Sequence, residues 1–118
     1  MLKINHDLEG ALKVFLVLLD KEAYFEAHEV LEEAWHPLRL SDHPLKNLVK
    51  GLINAAIAFE HIKRNRENMP AKVDKVIASY ERYKGLCRKD ISHAVLFEEA
   101  KEKVEVLKQK HQNIFTAF

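Results

Sequence analysis

Apolar residues recur every three or four positions along almost the whole chain, which is the spacing of amphipathic helices. Near the N-terminus, for example, Leu8, Leu12, Phe15 and Leu19 fall on one helical face. This spacing predicts five helices: over about 5–19, 21–36 and 45–64, then from 68–70 to about 85, and from 92 onward. No segment alternates apolar and polar residues as a half-buried strand would, so the pattern predicts no sheet.

Local signals indicate where these helices begin and end. Asn5 and Asp20 can cap the first and second helices with their side-chain oxygens. Pro37 is predicted to end the second helix, because proline disfavours the helical conformation of the residue before it. Cap residues followed by proline at 41–44 and at 68–70 predict the starts of the third and fourth helices.

The predicted fold class is all-α. A chain of 118 residues supports one hydrophobic core, so residues 1–118 are expected to form a single domain. The three glycines and three prolines are too few for a many-turned β architecture. Because the predicted connections are short, successive helices should lie antiparallel in a bundle of about five.

Charge and cysteine content limit the partners and the location that we expect. The net charge of +1 predicts no binding to nucleic acid or to an anionic membrane. Cys87 is the only cysteine, which suits a reducing cytoplasm. Asp7 and Glu9 stand where a signal peptide would need apolar residues, and the apolar run 14–19 is too short to span a bilayer. We therefore expect a soluble cytoplasmic protein, small enough to form a homodimer.

The second helix carries an unusual concentration of negative charge. Its segment YFEAHEVLEEAW, residues 24–35, contains four glutamates and one histidine but no lysine or arginine. On a helical wheel His28 lies inside the apolar stripe that includes Tyr24 and Trp35, and Glu32 borders it. Each pair of glutamates three or four positions apart destabilises an isolated helix by about 0.2–0.5 kcal/mol. This predicts compensation from cations of a neighbouring helix, from shared protons or from a bound metal.

The third helix offers a polar line that can provide this compensation. Asn47, Asn54 and His61 follow one another at intervals of seven, and Lys50 lies beside Asn54. If the second and third helices pair antiparallel, this line is expected to meet the region of His28 and Glu32.

Two segments resemble a known family of bacterial and archaeal proteins. The segment YFEAHEVLEEAW and the later KGLINAAIAFEHIKRN, residues 50–65, resemble the family known as domain of unknown function 309. The likeness covers about residues 20–85. Asn54 stands where the family pattern has glutamine, and Glu22 lies near a position that is usually glycine. The resemblance implies a small helical protein of the kind labelled a predicted metal-dependent hydrolase.

Residues 28–32 have the form H-E-x-x-E, one substitution from the zinc-protease signature H-E-x-x-H. His28 and Glu32 can bind a divalent metal (Zn, Mn or Fe) from one helical face, with His61 or another carboxylate as a third ligand. Glu29 or Glu26 can then activate a metal-bound water as the catalytic base. Tyr24, Trp35, Lys50 and Asn54 are expected to line this site.

Structural explanations stand beside this one. His28 can be a buried histidine that hydrogen-bonds Glu32 or Asn54, and Glu29 and Glu32 can pair with Lys50 or another cation. Trp35 can serve as a packing anchor between helices. Three hypotheses therefore remain open: a metal-dependent hydrolase, a non-catalytic helical module that binds a protein or small ligand in a groove, and a polar cluster that only specifies the fold.

Overall fold

A computed structural model describes residues 7–115 of the protein. These residues form six α-helices and one short 3-10 helix, and none of them lies in a strand, so the all-α prediction is confirmed. The elements are α1 (Leu8–Asp20), α2 (Tyr24–Leu40), α3 (Lys46–Arg64), α4 (Met69–Tyr83), the 3-10 helix (Lys84–Leu86), α5 (Ala94–Lys110) and α6 (Gln112–Phe115). No helix in this range is long and apolar enough to cross a membrane.

Helix α3 is the centre of the bundle. It packs against α2 and α4, while α1 packs against α2 and α5. Its middle is apolar on most faces, which lets it be covered from several sides. Nine of its residues are buried: Leu48, Val49, Gly51, Leu52, Ile53, Ala55, Ala56, Ala58 and Phe59. Helix α3 therefore provides the rigid surface on which α2 and α4 are placed.

The predicted end of the second helix was wrong. Pro37 lies inside α2, which continues to Leu40. One proline removes a single backbone donor, and the following turn restores the bonding. The backbone N–H of Ser41 donates to the carbonyl of Pro37 at 3.1 Å, and its hydroxyl donates to the same oxygen at 2.9 Å. Leu38 packs against the core, which holds this last turn in place.

The predicted start of the second helix was also wrong, because Asp20 ends α1 and α2 begins only at Tyr24. Glu22 takes the left-handed conformation with φ 59°, a conformation that favours glycine. The N–H of Ala23 donates to the carbonyl of Leu18 at 2.9 Å, which closes a Schellman turn. Asp20 instead forms a salt bridge with Lys103 of α5.

At the start of α1 the side chain of Asp7 accepts a hydrogen bond from the N–H of Glu9, so Asp7 is the N-cap. Asn5, the residue predicted for this role, lies outside the described residues.

Helices α3 and α4 approach each other at small residues. A Cβ atom on Gly51 would lie 3.1 Å from the Cα of Tyr80 and 3.4 Å from the carbonyl oxygen of Ser79. One turn along α3, Asn54 donates a hydrogen bond from Nδ2 to the hydroxyl of Ser79 at 2.6 Å. These contacts fix the distance between the two helices.

Helices α4 and α5 are joined by a partly buried polar network. The hydroxyl of Tyr80 donates to Oε2 of Glu105 at 2.6 Å, and Lys84 donates to the same oxygen at 3.2 Å. Burial raises the pKa of Tyr80, and its bond to Glu105 raises it further. Lys108 of α5 pairs with Glu81 of α4. The network holds α5 on the side of α4.

Candidate functional site

The glutamates of α2 form an acidic face, composed of Glu26, Glu29, Glu32 and Glu33, that is turned largely to solvent. Glu26, Glu29 and Glu33 are exposed, whereas Tyr24 and Leu31 point into the core. In the range 7–115 no salt bridge links these three exposed glutamates to a cation, so the predicted compensation from the third helix was wrong for them. Hydration and salt screening accommodate their mutual repulsion instead.

His28 is held between the core and this acidic face. Its Nδ1 lies 2.6 Å from the carbonyl oxygen of Phe25. Because that oxygen can only accept, Nδ1 carries the proton and donates the hydrogen bond. The ring packs edge-on against the Phe25 ring at 5.0 Å. Its Nε2 lies 3.7 Å from Oε1 of Glu32, a side chain that is 43% exposed. The first partner of His28 is therefore a backbone carbonyl rather than Glu32 or Asn54.

Lys50 and Asn54 lie elsewhere than the sequence predicted. Lys50 places its ammonium group 4.5 Å from the centre of the Trp35 ring, in cation–π geometry. Asn54 bonds Ser79 of α4. Lys50 and Asn54 therefore have other partners than His28 and Glu32. Trp35 joins α2 to α3 as an anchor.

Tyr24 belongs to the core. It is 3% exposed, and its ring centre lies 5.7 Å from that of Phe59. Burial, with smaller contributions from Glu22 and Glu60, raises the pKa of Tyr24 to about 12. Its hydroxyl therefore stays protonated at neutral pH.

His61 shares a cavity with His28. This α2–α3–α4 pocket has a volume of about 260 Å³ and lies where the start of α2 faces the junction of α3 and α4. Its apolar walls are Phe25, Ile57 and Met69. Its polar lining consists of His28, Glu60, His61, Arg64, Arg66 and Lys72. Two predicted residues, His28 and His61, therefore do come together, whereas Glu32 faces a different hollow.

The α2–α3–α4 pocket is electrostatically positive. Arg64 pairs with Glu60, whereas Arg66 and Lys72 form no salt bridge within residues 7–115. Three cations and one carboxylate give the lining a formal charge of +2 when both histidines are neutral. Burial lowers the pKa of His61, and the charges of Lys72 and Arg64 lower it further against the opposing effect of Glu60.

The acidic face forms a second, shallower hollow. Glu26, Glu29, Glu32, Glu33 and His36 surround Leu18 and Val30 in an open groove of about 500 Å³. Across the described chain, however, no three His, Cys, Asp or Glu side chains converge so that they could hold a metal ion. The predicted set of His28, Glu32 and His61 thus offers the close pair His28–Glu32 without a converging third ligand.

Several pocket residues escaped the sequence prediction: Phe25, Ile57, Glu60, Arg64, Arg66, Met69 and Lys72. For some of these residues the sequence does contain a signal, namely their spacing along the third helix. Ile57, His61 and Arg64 are spaced by four and three, so they share one face at the end of the third helix. The turn at 65–68, with Asn65 and Asn68 both at positive φ, then brings Lys72 beside that face. The handedness of that turn could not be derived from the spacing.

Comparison with protein-family models gives a match for this chain. The family model described as "Domain of unknown function (DUF309)" matches residues 12–73, more than half of the chain. The matched range includes every residue that lines the α2–α3–α4 pocket. No curated protein and no solved structure matches the chain. The chain belongs to the DUF309 family.

Proposed function

We propose that this protein is a non-catalytic helical module that binds a small organic molecule in the α2–α3–α4 pocket. The observation that carries the proposal is the pocket itself: apolar walls with several polar groups directed into about 260 Å³. Small-molecule sites in proteins typically combine an apolar lining with a few converging polar groups. We expect this binding to take place in the cytoplasm, the location that the sequence predicts.

The lining favours binding over chemistry. Its residues in the described chain include no serine, threonine, cysteine or tyrosine, so His28 and His61 have no hydroxyl or thiol nucleophile in the lining to activate. Glu60, the carboxylate of the lining, is held in an ion pair by Arg64. Phe25 is 44% exposed at the edge of the pocket, so a bound apolar group would remove part of its ring from water.

The test uses 4-methylphenol as a neutral apolar probe. The methyl groups of Ile57 and Met69 line the pocket, whereas that of Ile91 does not. We expect saturable NMR shifts of the Ile57 and Met69 methyl signals, with little change at Ile91. Shifts of equal size at Ile91, or the absence of saturable shifts with both 4-methylphenol and the charged probes introduced below, would refute the proposal.

Two exposed apolar residues provide a matched pair of variants. Phe25→Ala removes a pocket wall, and Val14→Ala removes a side chain that is similarly exposed, at 42%, outside the pocket. Loss of the aromatic contact should weaken binding of 4-methylphenol roughly two- to ten-fold in Phe25→Ala. Val14→Ala should bind as the unsubstituted protein does. Equal affinities of the two variants would contradict a role for this pocket.

The metal-dependent hydrolase implied by the family label is a second proposal. One observation favours it: the Nδ1–H of His28 is fixed by the Phe25 carbonyl, which leaves Nε2 directed towards Glu32 at 3.7 Å. Metal-binding histidines are commonly supported in this way through their other nitrogen. The carboxylates of the acidic face beside Glu32 would attract a divalent cation, whereas the positive α2–α3–α4 pocket that His28 also lines would repel one.

A thermal-shift experiment separates the two proposals. The hydrolase proposal predicts that Zn²⁺, Mn²⁺ or Fe²⁺ raises the Tm of the protein and that His28→Ala abolishes the rise. The binding-module proposal predicts no rise with any of these ions, together with the response to 4-methylphenol described above.

A further inference from the structure

We infer that the ligand of the α2–α3–α4 pocket is an amphipathic organic anion, a small apolar group that carries a carboxylate or a phosphate. This inference rests on the proposed function and names the chemical class of its ligand. It follows from which charges around the pocket are already paired and from where the apolar walls lie.

The unpaired charges of the pocket are positive. Arg64 is engaged by Glu60, and its guanidinium also lies 5.8 Å from the centre of the Phe25 ring. Arg66 and Lys72 reach the lining without a carboxylate partner in the described chain. A guanidinium and an ammonium that converge on one concavity provide the donors that carboxylates and phosphates accept from.

His61 experiences the same positive field. Lys72 and Arg64 both lower its pKa, in addition to the effect of burial. The charged and titratable groups around it are Glu60 and Arg64 on α3, Lys72 on α4, Arg66 in the connection and His28 on α2. A bound anion would oppose the field of the cations, so it should raise the pKa of His61.

The apolar walls exclude a purely inorganic ligand as the best occupant. Phe25, Ile57 and Met69 contribute one residue from each of the three helices. An inorganic phosphate would leave these side chains hydrated, whereas a ring or an aliphatic group would cover them. The preferred ligand should therefore combine both chemistries.

Five probes test the inference: phenyl phosphate, benzoate, 4-methylphenol, benzylamine and inorganic phosphate. Each solvent-exposed ion pair contributes about 0.2–1 kcal/mol, so two pairs make the anionic aromatics roughly two- to thirty-fold tighter than 4-methylphenol. Benzylamine and inorganic phosphate should bind more weakly than either anionic aromatic. Added salt should reduce this preference for anions. Whichever of phenyl phosphate and benzoate binds more tightly, the inference is supported, and the tighter of the two identifies the preferred acid group.

The outcomes distinguish failure of this inference from failure of the proposed function. If 4-methylphenol or benzylamine binds as tightly as the anions, the ligand class is wrong and the binding pocket stands. If no probe shifts the Ile57 and Met69 signals, both are overturned.

Two lysines on α4 provide a matched pair of variants. Lys72 lines the pocket, and Lys75 is an exposed residue of the same helix that does not. Lys72→Gln should weaken the binding of phenyl phosphate roughly two- to five-fold and leave the affinity for 4-methylphenol unchanged. It should also raise the pKa of His61 in the free protein. Lys75→Gln should change none of these. Equal losses of phenyl phosphate affinity in both variants would show non-specific attraction and overturn the inference.

Discussion

The approach of α3 to α4 at Gly51 gives a quantitative test of the fold that supports the pocket. In Gly51→Ala the added methyl group would stand 3.1 Å from the Cα of Tyr80 and 3.4 Å from the carbonyl oxygen of Ser79. Both are backbone atoms, so the methyl group can be accommodated only if the helices separate. These helices also carry Ile57 and Met69, two walls of the pocket.

Two opposing effects set the size of the change at Gly51. Overpacking of a core contact typically costs about 1–3 kcal/mol. Alanine in place of glycine inside a helix gains about 1 kcal/mol of helix propensity. The net expectation for Gly51→Ala is a loss of about 1 kcal/mol in the free energy of unfolding, and at most about 2 kcal/mol.

Urea unfolding followed by circular dichroism measures this loss through the transition midpoint. Gly85→Ala is the matched control, because a Cβ there meets nothing within 4 Å and its φ is not positive. That variant should gain about 0.4–1 kcal/mol from reduced freedom of the unfolded chain. If Gly51→Ala is as stable as Gly85→Ala, α3 and α4 do not approach as closely as described.

Three further predictions concern surface charge, the α4–α5 network and pH. Glu29→Gln removes a carboxylate from the acidic face and relieves several like-charge pairs, so it should raise the free energy of unfolding in urea by about 0.5–1 kcal/mol. A loss of stability would mean that Glu29 has an unrecognised partner. Tyr80→Phe leaves Glu105 without its hydroxyl donor and should cost about 0.5–1.5 kcal/mol in urea unfolding. The cost should be smaller when Glu105→Ala has already removed the acceptor, and additive effects of the two changes would contradict the bond. Burial lowers the pKa of His61 and of His111 from the ordinary value of 6.5, so the unfolded chain binds more protons in acid and stability should fall as the pH drops below about 6.5. Thermal unfolding of a variant with both histidines changed to Gln should show a smaller fall, and an unchanged fall would refute the assignment.

The helices could be predicted because burial follows the apolar spacing. Leu12, Phe15 and Leu19 point into the core as their spacing predicts, and α3 lies within one residue of its predicted bounds. The limits of α2 could not be derived in this way. A Schellman turn with a glutamate at positive φ moved its start to Tyr24, and contacts of Leu38 carried it beyond Pro37. Tertiary packing outweighed the local signals at both ends.

The candidate site was predicted only in part, because a helical wheel gives the face of a residue but not the rotation of the helix against its neighbours. Ala27, Leu31 and Ala34 take the core side of α2, which turns the acidic face to water. His28 and His61 were recognised because His28 stands in an apolar stripe and His61 in a polar line, and each pattern is visible within a single helix. Arg66 and Lys72 were not, because they reach the pocket through a turn whose geometry depends on two asparagines in the left-handed conformation.

A crystal structure of the protein grown with phenyl phosphate tests the central claim most directly. We expect the ring to lie against Phe25, Ile57 and Met69, with phosphate oxygens within hydrogen-bond distance of Arg66 or Lys72. Phenyl phosphate bound only at another surface, or a pocket that contains only water at saturating phenyl phosphate, would contradict it.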